Sequence, residues 1–210
     1  MEKARQLAIL GMVVSGFLAI LKITVGWLGH SAALSADGFE SAADVLTSGL
    51  VLIALTIAAR PADENHPYGH GRVEILTGLL LGFILFCAGV AISWHGLTPH
   101  ANETQVPAFY AIWPLIVSIG AKSWMLMVKY RHSRRIGSSS LLADASNDGI
   151  DILSGFVALA ALSLTLFDPQ RFPRADHYGA FVVGLIVGAT GLHVMYESGM
   201  QLMDTMPDER

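Results

Sequence analysis

The chain has 210 residues, of which 53% are hydrophobic and only 14% are charged, and its mean hydropathy of +0.53 is far above that of soluble globular proteins. The net charge of −4 and the pI near 6.0 disfavour a nucleic-acid-binding protein, and the apolar content disfavours a disordered chain. The single cysteine, Cys87, excludes an intrachain disulfide. We therefore expect an integral membrane protein.

Six apolar stretches follow one another along the chain. They cover residues 7–28, 33–59, 73–97, 109–130, 141–167 and 177–200. Each has about 20 residues or more, which is enough to cross a hydrocarbon core of about 30 Å as a helix. The first is too long for a cleaved signal peptide, and five more follow it. The pattern predicts an all-α membrane protein, a single domain over residues 1–210 with six transmembrane helices.

The distribution of Lys and Arg predicts the orientation of these helices. If the N-terminus is cytoplasmic, only Arg171 and Arg174 lie outside, and nine cations lie inside: Lys3, Arg5, Arg60, Arg72, Lys129, Arg131, Arg134, Arg135 and Arg210. We therefore expect both termini in the cytoplasm. The remaining cations, Lys22 and Lys122, fall within the second half of the first stretch and the middle of the fourth, and no role is predicted for them.

Two of the stretches contain carboxylates where lipid-facing side chains are expected. The second stretch contains Asp37, Glu40 and Asp44, and the fifth contains Asp144, Asp148 and Asp151. Each charge near the bilayer centre costs about 2.5–3.5 kcal/mol, so we expect these groups to face the bundle interior or a water-filled cavity. For Asp37 and Asp144, a helix cap is the alternative.

The same spacing, i, i+3 and i+7, places polar side chains on one face of both helices. The two sets are Asp37, Glu40 and Asp44, and Asp144, Asn147 and Asp151. Because the second and fifth of six spans are antiparallel, Glu40 lies level with Asp151. Asp44 lies level with Asn147 in the same arrangement. The oxygens of these four side chains are therefore predicted to form a four-ligand cage for a divalent cation. The pathway to this cage is predicted to be lined by Asp37, Asp144 and Asp148.

The connection between the second and third stretches contains a weaker candidate site. Asp63, His66 and His70 supply the nitrogen and oxygen ligands that divalent metals accept. A solvated turn built by Pro67 and the neighbouring glycines is the alternative.

Three ordered segments resemble the cation diffusion facilitator family. They are ADGFESAADV at residues 36–45, HPYGHGRVE at residues 66–74 and LLADASNDGID at residues 141–151. The resemblance continues through SAAL at residues 31–34 and LMD at residues 202–204, so that it covers the membrane domain from end to end.

The resemblance implies a transporter that moves divalent metal ions, usually zinc, out of the cytoplasm in exchange for protons. It also implies a homodimer in the lipid bilayer, with metal as substrate and no prosthetic group. The family's transport ligands fall on Glu40, Asp44, Asn147 and Asp151, and its loop site falls on Asp63, His66 and His70. An ion pair found in some members falls on Arg72 and Asp204.

Two departures from the family pattern affect this interpretation. Zinc-selective members carry a histidine among the transport ligands, whereas an all-oxygen cage is a harder site and leaves manganese, iron(II) or cadmium open as substrates. Family members also usually continue into a soluble cytoplasmic domain after the position where this sequence stops. We expect either a naturally short member or a shortened chain, whose dimerisation rests on the membrane helices.

Two other functions compete with transport as interpretations of the sequence. Asn147 and the early end of the sequence favour a transport-inactive partner or scaffold protein. A membrane-embedded enzyme is disfavoured because the sequence contains neither an H-E-x-x-H nor a G-x-S-x-G motif. For the transporter, we expect protons to replace the metal on Glu40, Asp44 or Asp151. The expected location is a multi-pass membrane protein, in the plasma (inner) membrane if the chain is bacterial.

Overall fold

A computed structural model describes residues 2–58, 72–98, 106–136 and 139–203. These residues form helices α1 (Glu2–Leu28), α2 (Ala32–Ala58), α3 (Arg72–Leu97), α4 (Ile112–Ile136), α5 (Ser139–Phe167) and α6 (Ala175–Leu202), with a short 3-10 turn at Phe109–Ala111. Each helix coincides with one predicted stretch, and the described ranges contain no β-strand. The all-α prediction is therefore confirmed for this part of the chain.

The largest difference in bounds is at the end of α4. The apolar stretch ends at Tyr130, whereas the helix continues to Ile136. Its last turn contains Arg134 and Arg135, which interact favourably with the negative end of the helix dipole. The guanidinium of Arg134 also donates to the Tyr130 hydroxyl one turn earlier, at 3.0 Å. Local charge interactions thus extend the helix beyond its apolar part.

Five of the helices are long and apolar enough to cross a membrane. They are α1, α3, α4, α5 and α6. Helix α2 has a comparable length but carries three carboxylates, and it is not among these five. The structure therefore supports an integral membrane protein, whereas the crossing by α2, the count of six spans and the side of the termini stay predictions.

The bundle exposes many large apolar side chains, and its core contains alanine and leucine. Phe17 is 66% exposed and Phe167 is 90% exposed, whereas Ala33, Ala158 and Leu162 are completely buried. Lipid is as apolar as the side chains it contacts, so helices in a membrane associate through close packing of small residues and through polar contacts. The exposed rings therefore mark the surface that faces lipid.

Helix α3 packs most extensively against α6, through glycine and serine. A Cβ atom at Gly89 would overlap the backbone of Gly188, so the two helices approach each other at backbone distance. The Ser93 hydroxyl donates to the carbonyl oxygen of Phe181 across the same interface, at 3.2 Å. Helix α1 packs against α2, and α4 packs against α5. These last four helices enclose the polar interior.

The start of α2 is capped by a carboxylate from α6. Asp176 accepts hydrogen bonds from the Ser31 hydroxyl, at 2.8 Å, and from the backbone N–H of Ala32, at 2.5 Å. Its own N–H donates to the Thr165 hydroxyl of α5, at 2.9 Å. An anion at a helix N-terminus satisfies donors that have no partner within the helix. The cap fixes the ends of α2, α5 and α6 relative to one another.

Candidate metal-transport site

Three lysines are buried inside the bundle, and each is close to a carboxylate. They are Lys22 on α1 and Lys122 and Lys129 on α4. A charged side chain at membrane depth is stable only when it is paired or hydrated, so each lysine accounts for part of the buried acidic charge. None of these pairs was predicted from the sequence.

Lys22 pairs with Asp37. The ammonium lies 2.8 Å from Asp37 Oδ2, and the two side chains are 1% and 0% exposed. Lys22 also donates to the Ser41 hydroxyl at 2.9 Å. Asp37 lies more than one turn after the start of α2 and is not the cap of that helix, because the first N–H groups donate to Asp176 and to the Ser31 hydroxyl. Within the described contacts, Asp37 is an ion-pair partner of α1.

Lys122 lies among the carboxylates of the predicted cage. Its ammonium makes its closest contact with Asp151 Oδ2 and lies 3.9 Å from Asp44 Oδ2. It is also 3.4 Å from Oδ1 of Asp148. Lys129 lies two turns further along α4, and its ammonium is 2.7 Å from Asp148 Oδ2. Asp148 thus joins the two lysines of α4.

The four predicted ligands lie on facing turns of α2 and α5. Asn147 Nδ2 donates to Asp44 Oδ1 at 3.5 Å, which joins the two helices at that level. This contact is consistent with an antiparallel arrangement in which Asp44 and Asn147 lie at the same level. Asp44 is the most accessible of the three acids, with 20% of its side chain exposed.

The formal charges of the cage do not balance. Glu40, Asp44 and Asp151 are three acids, and Lys122 offsets only one of them. Within the described contacts, the pairs of Lys22 with Asp37 and of Lys129 with Asp148 are neutral. The interior is therefore electrostatically suited to a further cation. In the ranges that the structure covers, no three His, Cys, Asp or Glu side chains are arranged to hold a metal ion as they stand.

The other predicted site residues are less fully described. Asp144 belongs to α5 and Arg72 begins α3, but their side chains are outside the description. The loop candidates and the acid after α6 lie outside the described residues; these are Asp63, His66, His70 and Asp204. For all six, the proposed roles stay predictions.

The lysines are the site residues that the sequence interpretation missed. A signal for them was present, because Lys22 and Lys122 interrupt stretches that are otherwise apolar. An intramembrane charge is by itself a pointer to a paired or functional group. The order of the helices also indicates where the partners of these lysines lie. Helix α1 precedes α2 and α4 precedes α5, and consecutive helices are usually adjacent.

Comparisons with known proteins relate this chain to membrane transporters. Residues 8–203 match the cation efflux transmembrane domain. The uncharacterized transporter YdbO of Bacillus subtilis (strain 168) is 31% identical over 97% of this chain and 70% of its own length. The manganese efflux system protein MneS of the same bacterium is also 31% identical, with the same two coverages. Metal tolerance protein C1 of Arabidopsis thaliana is 27% identical over 97% of this chain and 46% of its own length.

The long apolar helices and the family match identify a multi-pass membrane protein that transports cations. The chain belongs to the cation efflux family, also called the cation diffusion facilitators. Members of this family are metal-ion transporters and not enzymes, which confirms the transporter class predicted from the sequence.

Proposed function

We propose that the protein exports a divalent metal cation from the cytoplasm in exchange for protons, with Glu40, Asp44, Asn147 and Asp151 as the metal ligands. One observation carries the proposal: the hydrogen bond from Asn147 to Asp44 brings the two ligand-bearing faces of α2 and α5 together at the predicted level. The negative charge left in the buried interior supports a cationic substrate.

Manganese is the first candidate for the substrate. The cage contains carboxylate and amide oxygens only, and such ligands suit manganese better than softer metals. MneS and a further relative from Bacillus subtilis, MneP, are both named manganese efflux system proteins. Zinc, iron(II) and cadmium are the competing substrates that the experiment must include.

In the proposed mechanism, the carboxylate oxygens carry either the metal or the protons. The ion enters from the side on which Asp44 is accessible and is held by oxygens from both helices. Protons replace it on Glu40, Asp44 or Asp151 after the site opens to the other side, as in the alternating access of other transporters. The same carboxylates of α2 and α5 thus bind both the metal ion and the protons.

The proposal includes a membrane arrangement for the whole chain. Residues 1–210 form one domain of six transmembrane helices with both termini in the cytoplasm, and two copies form a homodimer in the lipid bilayer. In a bacterium this bilayer is the plasma membrane. Asp144 and Asp148 line the pathway, Asp63, His66 and His70 form an accessory loop site, and Arg72 pairs with Asp204.

Uptake into sealed proteoliposomes tests the proposal. Manganese, zinc, iron(II) and cadmium are supplied outside, and a pH dye is trapped inside. We expect wild-type protein to accumulate metal with proton counterflow, and Asp44→Ala and Asp151→Ala to abolish both. Glu197→Ala is the matched control, because that carboxylate is 61% exposed on α6, away from the interior, and we expect it to retain uptake.

Three results would contradict parts of this proposal. Metal uptake without any change of internal pH would exclude proton exchange. Equal uptake by wild type and both aspartate variants would exclude the ligand set. Metal binding by well-folded wild type without uptake of any ion would favour a transport-inactive partner protein.

A further inference from the structure

The ammonium group of Lys122 lies at the position that a metal ion is expected to take. It contacts Asp151 and lies 3.9 Å from Asp44, and both carboxylates are proposed metal ligands on different helices. The lysine itself comes from α4, which contributes no proposed ligand. Its side chain is 3% exposed, so bulk water does not screen its charge.

A metal ion and the ammonium cannot share these two carboxylates. Metal–oxygen bonds to carboxylates are about 2.0–2.2 Å long, so an ion bound to Asp151 would lie within about 5 Å of Lys122 Nζ. Like charges at such a distance repel strongly inside a protein. Metal binding therefore requires the ammonium to move away.

The structure contains a second acceptor for the displaced ammonium. Asp148 Oδ1 is already 3.4 Å from Lys122 Nζ, one turn before Asp151 on the same face of α5. The other oxygen of Asp148 is held by Lys129 at 2.7 Å, which fixes the carboxylate in place. If Lys122 leaves Asp151, Asp148 is therefore already within reach as its carboxylate partner.

We propose that Lys122 is a tethered cation that occupies the transport site in the metal-free protein and is displaced toward Asp148 when the metal binds. This inference rests on the proposed function, because it requires that the cage carries the metal. As a consequence, part of the carboxylate charge is neutralised while the metal-free transporter returns to the conformation that accepts metal. Lys122 also weakens metal binding, which favours release on the far side.

The test is Lys122→Met, with Lys22→Met as the matched control. Both substitutions remove a buried lysine that pairs with an aspartate, but only Lys122 touches the cage. Binding of Mn²⁺ to the purified protein is measured by calorimetry. In proteoliposomes, net Mn²⁺ uptake is compared with the exchange of internal for external Mn²⁺, which does not require the empty transporter to return.

We expect Lys122→Met to bind Mn²⁺ at least about tenfold more tightly, because a repelling charge is removed. We expect its ratio of net uptake to exchange to fall by at least about tenfold, because the empty state has lost its internal cation. Lys22→Met removes a lysine that contacts Asp37 and Ser41 but none of the proposed ligands, so we expect its ratio of net uptake to exchange to stay within about twofold of wild type. A purely structural role for Lys122 predicts weaker binding and an unchanged ratio.

Weaker or equal binding by Lys122→Met, or an unchanged ratio, would overturn the role of Lys122 while leaving the proposed function intact. If wild type shows neither uptake nor exchange, the proposed function itself is wrong and the inference falls with it. If Lys122→Met does not remain monodisperse in detergent, Lys122→Gln makes the same comparison, because its neutral amide keeps hydrogen bonds to the carboxylates.

Discussion

The buried ion pair between Lys22 and Asp37 allows a quantitative test of the structure. At 2.8 Å and an effective dielectric constant of about 20, the gross attraction between the two charges is about 6 kcal/mol. Burying both ions costs a similar amount, so the intact pair contributes little net stability. Removing one partner is different, because Asp37→Ala leaves the Lys22 ammonium with only the Ser41 hydroxyl as a described acceptor. Such a loss costs about 3–5 kcal/mol.

The assay is thermal unfolding in detergent, followed by tryptophan fluorescence. For a chain of this length, each kcal/mol corresponds to about 2–4 °C, so we expect Asp37→Ala to lower the Tm by about 6–20 °C. The double variant Lys22→Met/Asp37→Leu removes both charges and should recover most of this loss, because apolar replacements of a buried pair are close to neutral.

A double variant as unstable as Asp37→Ala would refute the reasoning, since it would show that the loss is not due to an uncompensated charge. The same protein also tests the predicted pathway role of Asp37. Normal metal uptake by a stable double variant would remove Asp37 from the pathway, and loss of uptake would keep it there.

Three further predictions concern the cap, the helix packing and the ligand set. Asp176→Ala should cost about 1–2 kcal/mol, seen as a lower Tm and as faster amide exchange in the first turn of α2, and unchanged exchange there would contradict the capping role. Gly89→Ala should destabilise by about 1–3 kcal/mol because its methyl group meets the backbone of α6, whereas Gly49→Ala, with open space around its Cβ, should be tolerated in the same thermal assay. Asn147→His should raise zinc uptake relative to manganese in competition experiments, because an imidazole nitrogen is a softer ligand, and an unchanged ratio would exclude Asn147 from the ligand set.

The helices were predictable from the sequence because each apolar stretch is long enough to cross a bilayer, and length and composition determine such segments. The register of α2 and α5 was predictable for a similar reason. Glu40 and Asp44 are four residues apart, as are Asn147 and Asp151, and helical periodicity places each pair on one face. The contact between Asn147 and Asp44 agrees with that periodicity.

The charge balance of the interior was not predictable in the same way. Lys122 belongs to α4, and its contacts with Asp44 and Asp151 depend on how α4 packs against two other helices. The cap by Asp176 joins residues 144 positions apart, and no local pattern indicates it. Periodicity describes one helix at a time, whereas these contacts are properties of the packed bundle.

The cap on α2 has a consequence for the order in which the protein matures during synthesis. Helix α2 is the second to leave the ribosome, yet the acceptor for its first N–H groups arrives with α6, the last helix. Unpaired backbone donors are costly in lipid, so the beginning of α2 depends on water or another temporary acceptor until translation is nearly complete. Its pairing with α1 through Lys22 and Asp37 needs no later segment. The helix that carries half of the proposed ligands is thus anchored to α1 early, in its second turn, and its first turn is capped last.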